Sequence, residues 1–186
     1  MIAGILRSTG LYSHEEVALF ERHTTIRSMS KDEIVVHRGE ICRTAFFNIT
    51  GAFYQFNYKD EIDLNVIDLH CDNEWFLNHS SFISQKPSDS FIKAYTDGQM
   101  LELDIESLHF LIGRSPAFLQ LAKIFDQASL RIHFFDNRLT PLEKYQYILT
   151  HRQQLIQKFP LKLIASYLKI SPETLSRVRE SLAKGN

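Results

Sequence analysis

The hydrophobic positions change their period along the chain. From about residue 24 to 106 they come in short runs broken by turn residues. Ile62-Asp-Leu-Asn-Val-Ile-Asp-Leu69 alternates almost without fault, as a strand with one buried face does. Asp32 to His37 is rich in β-branched residues and ends at Arg38-Gly39-Glu40. Residues 44–50 and 52–58 read as two strands about Gly51, and residues 90–95 and 99–104 as another pair about Asp97-Gly98. Short strands at this spacing predict a sandwich or barrel. Ahead of them, residues 15–23 have a helical pattern.

From Pro116 the apolar positions recur at alternating steps of 3 and 4: Phe118, Leu121, Phe125, Ala128, Ile132, Phe135 and Leu139. That seam predicts a helix about 30 Å long whose apolar edge is buried against a second copy of itself. Thr140-Pro141 with Glu143 then forms a capping-box pattern, and residues 141–157 read as one further helix.

Residues 159–182 read as two short helices at a steep angle. The first covers about 161–168; the second starts with Ser171 as N-cap and Pro172 at the first helical position. Ile164, Leu168, Ile170, Leu175 and Val178 would close a small core, with Ala165 at the point of closest approach. This is the pattern of a helix-turn-helix. Lys169 stands at the turn, where glycine is commoner. On the outward face Ser171, Glu173, Thr174 and Arg177 are placed to meet base edges; Arg177 suits guanine and Glu173 cytosine. Ser176, Arg179 and Lys162 are placed for phosphates.

Charge supports that picture. Residues 137–186 carry nine Lys/Arg against three Asp/Glu, while residues 1–136 carry twelve against nineteen, so a basic end sits on an acidic body. Two cysteines, Cys42 and Cys71, are too few for a disulfide framework or a four-cysteine cluster. No apolar run is long enough to span a bilayer and the first residues lack a signal-peptide layout, so the expected address is the cytoplasm, with no membrane partner. No nucleophile–base pair or standard metal-ligand spacing is present in the sequence, so neither an enzyme nor a bound metal or cofactor is expected.

The order of strands, seam helix and C-terminal helix pair resembles the bacterial Crp/Fnr regulators over nearly the whole chain. Its most specific stretch is Pro160 to Val178, with Arg38-Gly39-Glu40 and Phe47-Asn-Ile-Thr-Gly51 similar to glycine turns of the family's cyclic-nucleotide-binding roll. The resemblance implies an α+β fold: an N-terminal double-stranded, jelly-roll-like β-roll sensor (1–113), a long dimerisation helix (114–139) and a C-terminal helix-turn-helix domain (140–186). It implies a homodimer on palindromic double-stranded DNA, with Glu173 and Arg177 at base-contacting positions and Pro172 where the family has a basic contact. Where the family holds the nucleotide phosphate with Gly-Glu and a later Arg, this chain has Leu77-Asn78 and Ser88. Without that glycine the backbone stands farther from a phosphate, and without the arginine there is no bidentate partner for its charge. The usual grip on cAMP is therefore expected to be missing, while Trp75, Phe76, Asn78, Phe82 and Ser88 remain candidates to line a pocket for another small-molecule effector. The alternative to a DNA regulator is a ligand-sensing module that acts through a protein partner.

Overall fold

The computed structural model describes residues 1–60, 63–126 and 139–185. It opens with α1 (Ile2–Arg7) and α2 (His14–Arg22). Ser13 starts α2 with a complete capping box: its Oγ accepts from the Glu16 N–H, and the Glu16 carboxylate accepts from the Ser13 N–H. The strands follow: β1 (Thr25–Met29), β2 (Ile34–Val36), β3 (Thr44–Thr50), β4 (Phe53–Lys59), β5 (Asp63–His70), β6 (Glu74–Phe76), β7 (Phe91–Ala94) and β8 (Gly98–Asp104). Helix α3 (His79–Ser84) lies between β6 and β7, and α4 (Ile105–Arg114) follows β8. Among the described residues the strands form two antiparallel sheets, ordered β1-β8-β3-β6 and β2-β7-β4-β5.

The turns expected at Gly51 and Asp97-Gly98 are corners between the two sheets. β3 and β4 lie in different sheets, and so do β7 and β8. The two corners press on each other: a Cβ on Gly51, where φ is +110°, would meet the Asp97 carbonyl oxygen and Gly98 Cα at 3.0 Å. A Cβ on Gly98 would overlap the Thr50 carbonyl oxygen. Glycine is what lets the backbones approach this closely.

The sheets enclose one core, with Met29, Phe46, Phe76, Met100 and Leu101 from the first and Val36, Phe53, Ile92 and Ala94 from the second. The outer face of the second sheet is apolar too. Tyr54, Phe56, Val66 and Leu69 are buried there against Tyr145, Ile148, Leu155, Phe159 and Ile164 of the C-terminal helices. β4 is therefore buried from Phe53 to Phe56 without alternation, and its register with β5 shifts between Gln55 and Phe56.

The seam helix begins differently from its pattern. Pro116–Leu121 is a 3-10 turn, started by Ser115 in extended backbone with its Oγ accepting from the Ala117 N–H. Residues 122–126 continue as α-helix. Phe118 and Leu121 are fully buried in the chain's own core, so they have no free surface for a second copy. Phe125 is half-buried, its ring 5.3 Å from that of Phe82. Ala128, Ile132 and Phe135 lie outside the described residues; Leu139 is half-buried.

The helix read over 141–157 is two helices, α5 (Pro141–His151) and α6 (Gln154–Lys158), broken where Arg152 leaves helical backbone at φ −139°. The Thr140–Glu143 capping box at the start of α5 is complete. The chain closes with α7 (Leu161–Tyr167) and α8 (Pro172–Ala183).

Candidate nucleic-acid interface

The α7–α8 pair is built on a small core and a left-handed turn. Ile164, Ala165, Leu168 and Leu175 are all fully buried, and Ile170 and Val178 pack against them. Lys169 sits at φ +57°, a conformation that costs a non-glycine residue on the order of 1 kcal/mol. Lys144, itself buried on α5, donates from Nζ to the Leu168 carbonyl at 3.0 Å, placing a cation at the end of α7. Helix α8 starts where the Ser171 Oγ accepts from the Thr174 N–H at 3.2 Å, with Pro172 at the first position.

Leu175 anchors α8, so the opposite face is presented outward. Glu173, Arg177 and Glu180 follow one another there at helical spacing, all exposed. Arg177 Nε approaches the Glu173 carbonyl at 3.5 Å. The Glu173 backbone N–H, then the Ser171 hydroxyl, hold the Glu173 carboxyl below the usual carboxylate range, so it is ionised at neutral pH and can only accept. Ser176 and Arg179 are exposed as well. Thr174 is half-buried and lines a groove with Arg177, Thr140, Pro141 and Leu142. Lys162 is exposed on α7 and borders a second groove with Lys59, Lys169, Ser171 and Pro172. Ser171 is exposed, but its hydroxyl is engaged in the cap.

The candidate effector residues lie deep in the sheet body. Trp75, Phe76, Asn78, Phe82 and Ser88 are all buried. Phe76 stacks between Phe46 and Phe53, and the Trp75 ring meets Phe47 edge-on. Asn78 and Ser88 are joined directly. Asn78 Nδ2 donates to Ser88 Oγ at 2.5 Å and to Ser90 Oγ at 2.9 Å, and Ser88 Oγ donates to the Ser90 carbonyl at 2.6 Å. Gln55 Nε2 reaches Ser90 Oγ at 2.9 Å, leaving Gln55 Oε1 buried without a partner among the described residues. A phosphate would bring only further acceptors to this cluster, and Lys86 is exposed outside it, so the residues present do not fit a cyclic-nucleotide phosphate.

Solved structures share this architecture. FixK2 from Bradyrhizobium japonicum matches with a TM-score of 0.69 at 18% identity, covering 87% of this chain and 85% of that one. The catabolite activator protein of Thermus thermophilus matches at 0.56 and 19% identity, over 93% and 84%. CLP, a c-di-GMP-responsive global regulator of Xanthomonas campestris, matches at 0.59 and 16% identity, over 93% of each chain. The chain has the fold of Crp/Fnr regulators. At these identities the likeness establishes the fold alone. No protein-family model matches the chain, and no curated protein matches its sequence.

Several residues near the interface carry no motif of their own in the sequence. Glu180 joins the outward face of α8 only because Leu175, five residues earlier, sets the helix rotation. Arg152, Lys158, Ser166 and Lys169 all look like solvated polar positions in the sequence, yet each reaches the sheet body. Only long-range packing brings them there.

Proposed function

We propose that this protein is a sequence-specific, DNA-binding transcription regulator of the Crp/Fnr type, acting as a homodimer on a palindromic operator. The observation that carries this reading is the outward face of α8. A helix capped by Ser171 and anchored by Leu175 offers Glu173 and Arg177 side by side, after a left-handed turn at Lys169. In this reading α7 and α8 are a helix-turn-helix, α8 enters the major groove, and Arg177 donates to guanine while Glu173 accepts from cytosine. Ser171 and Thr174 lie at the helix start beside the bases. Ser176, Arg179 and Lys162 position the module on phosphates. Since Phe118 and Leu121 are spent inside the protomer, the dimer seam falls to the later positions Ala128, Ile132, Phe135 and Leu139, with Phe125 at its start.

On the sensor side, the Asn78–Ser88–Ser90 cluster supports a roll that does not hold cAMP in the usual way. Selection from random double-stranded DNA tests the whole reading. A two-fold symmetric site with half-sites about one helical turn apart, bound more weakly as salt rises, is the expected result. Failure to enrich any palindrome at any salt, together with heat stabilisation by a small molecule, would favour a sensor that signals through a protein.

A further inference from the structure

The C-terminal helices do not hang from the sheet body by their linker alone. Among the described residues β5 is an edge strand of its sheet, so one side of its backbone has no strand partner there. Side chains of the C-terminal helices occupy that side in order. Ser166 Oγ accepts from the Val66 N–H at 3.0 Å and donates to the Leu64 carbonyl at 3.1 Å. Lys169 Nζ donates to the Val66 carbonyl at 2.5 Å and to Asn65 Oδ1 at 2.8 Å. Arg152 Nη2 donates to the Leu69 carbonyl at 2.6 Å. At the far end, Lys158 Nζ pairs with Asp72 at 2.5 Å and donates to the Gly51 carbonyl at 2.9 Å.

Arg152 is the most enclosed of these groups. Its side chain is 11% exposed, and Asp68 beside it is 2% exposed. Nη1 donates to the Tyr167 hydroxyl of α7 at 2.8 Å and lies 3.4 Å from Asp68 Oδ1, while Nη2 holds both Glu74 oxygens at 2.9 and 3.1 Å. One guanidinium thus ties α7, β5 and β6 together, and it is available because α5 breaks at that residue.

Two kinds of contact divide the work. The apolar face of Tyr54, Phe56, Val66 and Leu69 gives the helices a reason to dock, but apolar burial is non-directional. Exposed ion pairs add little energy. What the planar fork of Arg152 and the edge-strand bonds add is orientation.

We propose that the C-terminal helices and the sheet body form one rigid unit, with Arg152 as the positioning residue, so that the direction of α8 within each protomer is set by this clamp without an effector. The rigid unit stands on the contacts alone; its consequence for DNA rests on the reading of α8 given above.

Distance measurement between spin labels tests it. Lys31→Cys in the sheet body and Gln146→Cys on α5 are exposed sites, and the native Cys42 and Cys71 are buried. Labelled chain is diluted in an excess of unlabelled chain so that only distances within a protomer are read. The expected result is one narrow distance, the same with and without cyclic nucleotides. Arg152→Lys keeps the charge but loses the fork, and should broaden that distance or add a second one at temperatures where circular dichroism is unchanged. A role confined to stability would lower the melting temperature and leave the distance narrow. Lys158→Gln with Lys169→Gln removes clamps from partly exposed sites and should also broaden the distance; it decides the matter if Arg152→Lys does not fold. A wild-type chain with several distances, or a folded Arg152→Lys chain with the wild-type distance, overturns the proposal. DNA selection on the same samples separates the two claims: a narrow distance with no enriched site leaves the clamp standing and removes the DNA reading.

Discussion

Asn78 Nδ2 lies 2.5 Å from Ser88 Oγ, so the two positions that the family resemblance sets against a phosphate are bonded to one another. Each uses its polar atoms on the protein: Asn78 Oδ1 also caps α3 by accepting from the Ser81 N–H at 3.1 Å. Cyclic AMP should therefore give no thermal stabilisation. A ligand at one hundred times its Kd would add about 2.7 kcal/mol, which a melting curve would reveal. Asn78→Ala leaves Ser88, Ser90 and the start of α3 short of partners and should cost about 1–3 kcal/mol in denaturant titration.

Arg177→Ala should weaken binding to the selected site by about 1–3 kcal/mol and relax sequence preference at one position in each half-site. Lys162→Ala should behave differently. Binding falls by a similar factor on all sequences, and the salt slope drops by about 1. Fluorescence anisotropy across a salt series distinguishes the two. An Arg177→Ala chain with unchanged preference would remove that residue from base recognition.

Ala165 is fully buried where α7 meets α8. Ala165→Leu should push the helices apart, cost about 1–3 kcal/mol, and abolish DNA binding before it unfolds the sheet body. Calorimetry and anisotropy on the same preparation check both parts.

The Thr140–Glu143 capping box makes a pH prediction. The Thr140 backbone N–H, then its hydroxyl, donate to the Glu143 carboxylate and lower its pKa in the folded chain. A lowered folded value means that the stabilisation is present above the unfolded carboxylate value, about 4.3, and is lost as pH falls through the folded one. Glu143→Gln should flatten this part of the acid limb of a stability–pH curve; an identical curve in the variant would exclude the box as a contributor.

Burial, reinforced by Glu74, pushes the Cys71 thiol up to about 12, and burial also raises that of Cys42. Both should resist alkylation at neutral pH in the folded protein and react once it is unfolded. Mass spectrometry after iodoacetamide treatment measures this directly; fast modification of native Cys71 would contradict the buried, neutral thiol.

Features set by neighbours in sequence were legible in advance. The Ser171-Pro172 start of α8, the Thr140 capping box and the buried Ala165 all depend on residues within a few positions of one another, whereas the alternation expected of β5 fails at its end, where Asp68, Leu69 and His70 are all buried. The corners at Gly51 and Gly98 were not. Both strands at each corner carry apolar residues on two faces, so alternation cannot separate a hairpin within one sheet from a crossing between two. At Phe118 and Leu121 the seam misled for a related reason: spacing at 3 and 4 fits a helix buried against any apolar surface, and these two found theirs inside the protomer.

For the candidate interface, local sequence specifies the chemistry: which residues of α8 can donate or accept, and that the α7–α8 pair closes around Ala165. Tertiary structure decided what that face is attached to. Arg152, Lys158, Ser166 and Lys169 meet β5, β6 and the Gly51 corner across some 80 to 110 residues of chain. Such contacts leave no periodic trace, because a side chain that caps a distant backbone group needs only the right position in space. The same holds for Asn78 and Ser88: the sequence revealed what was missing for a phosphate, and only the folded core brought the two side chains together in its place.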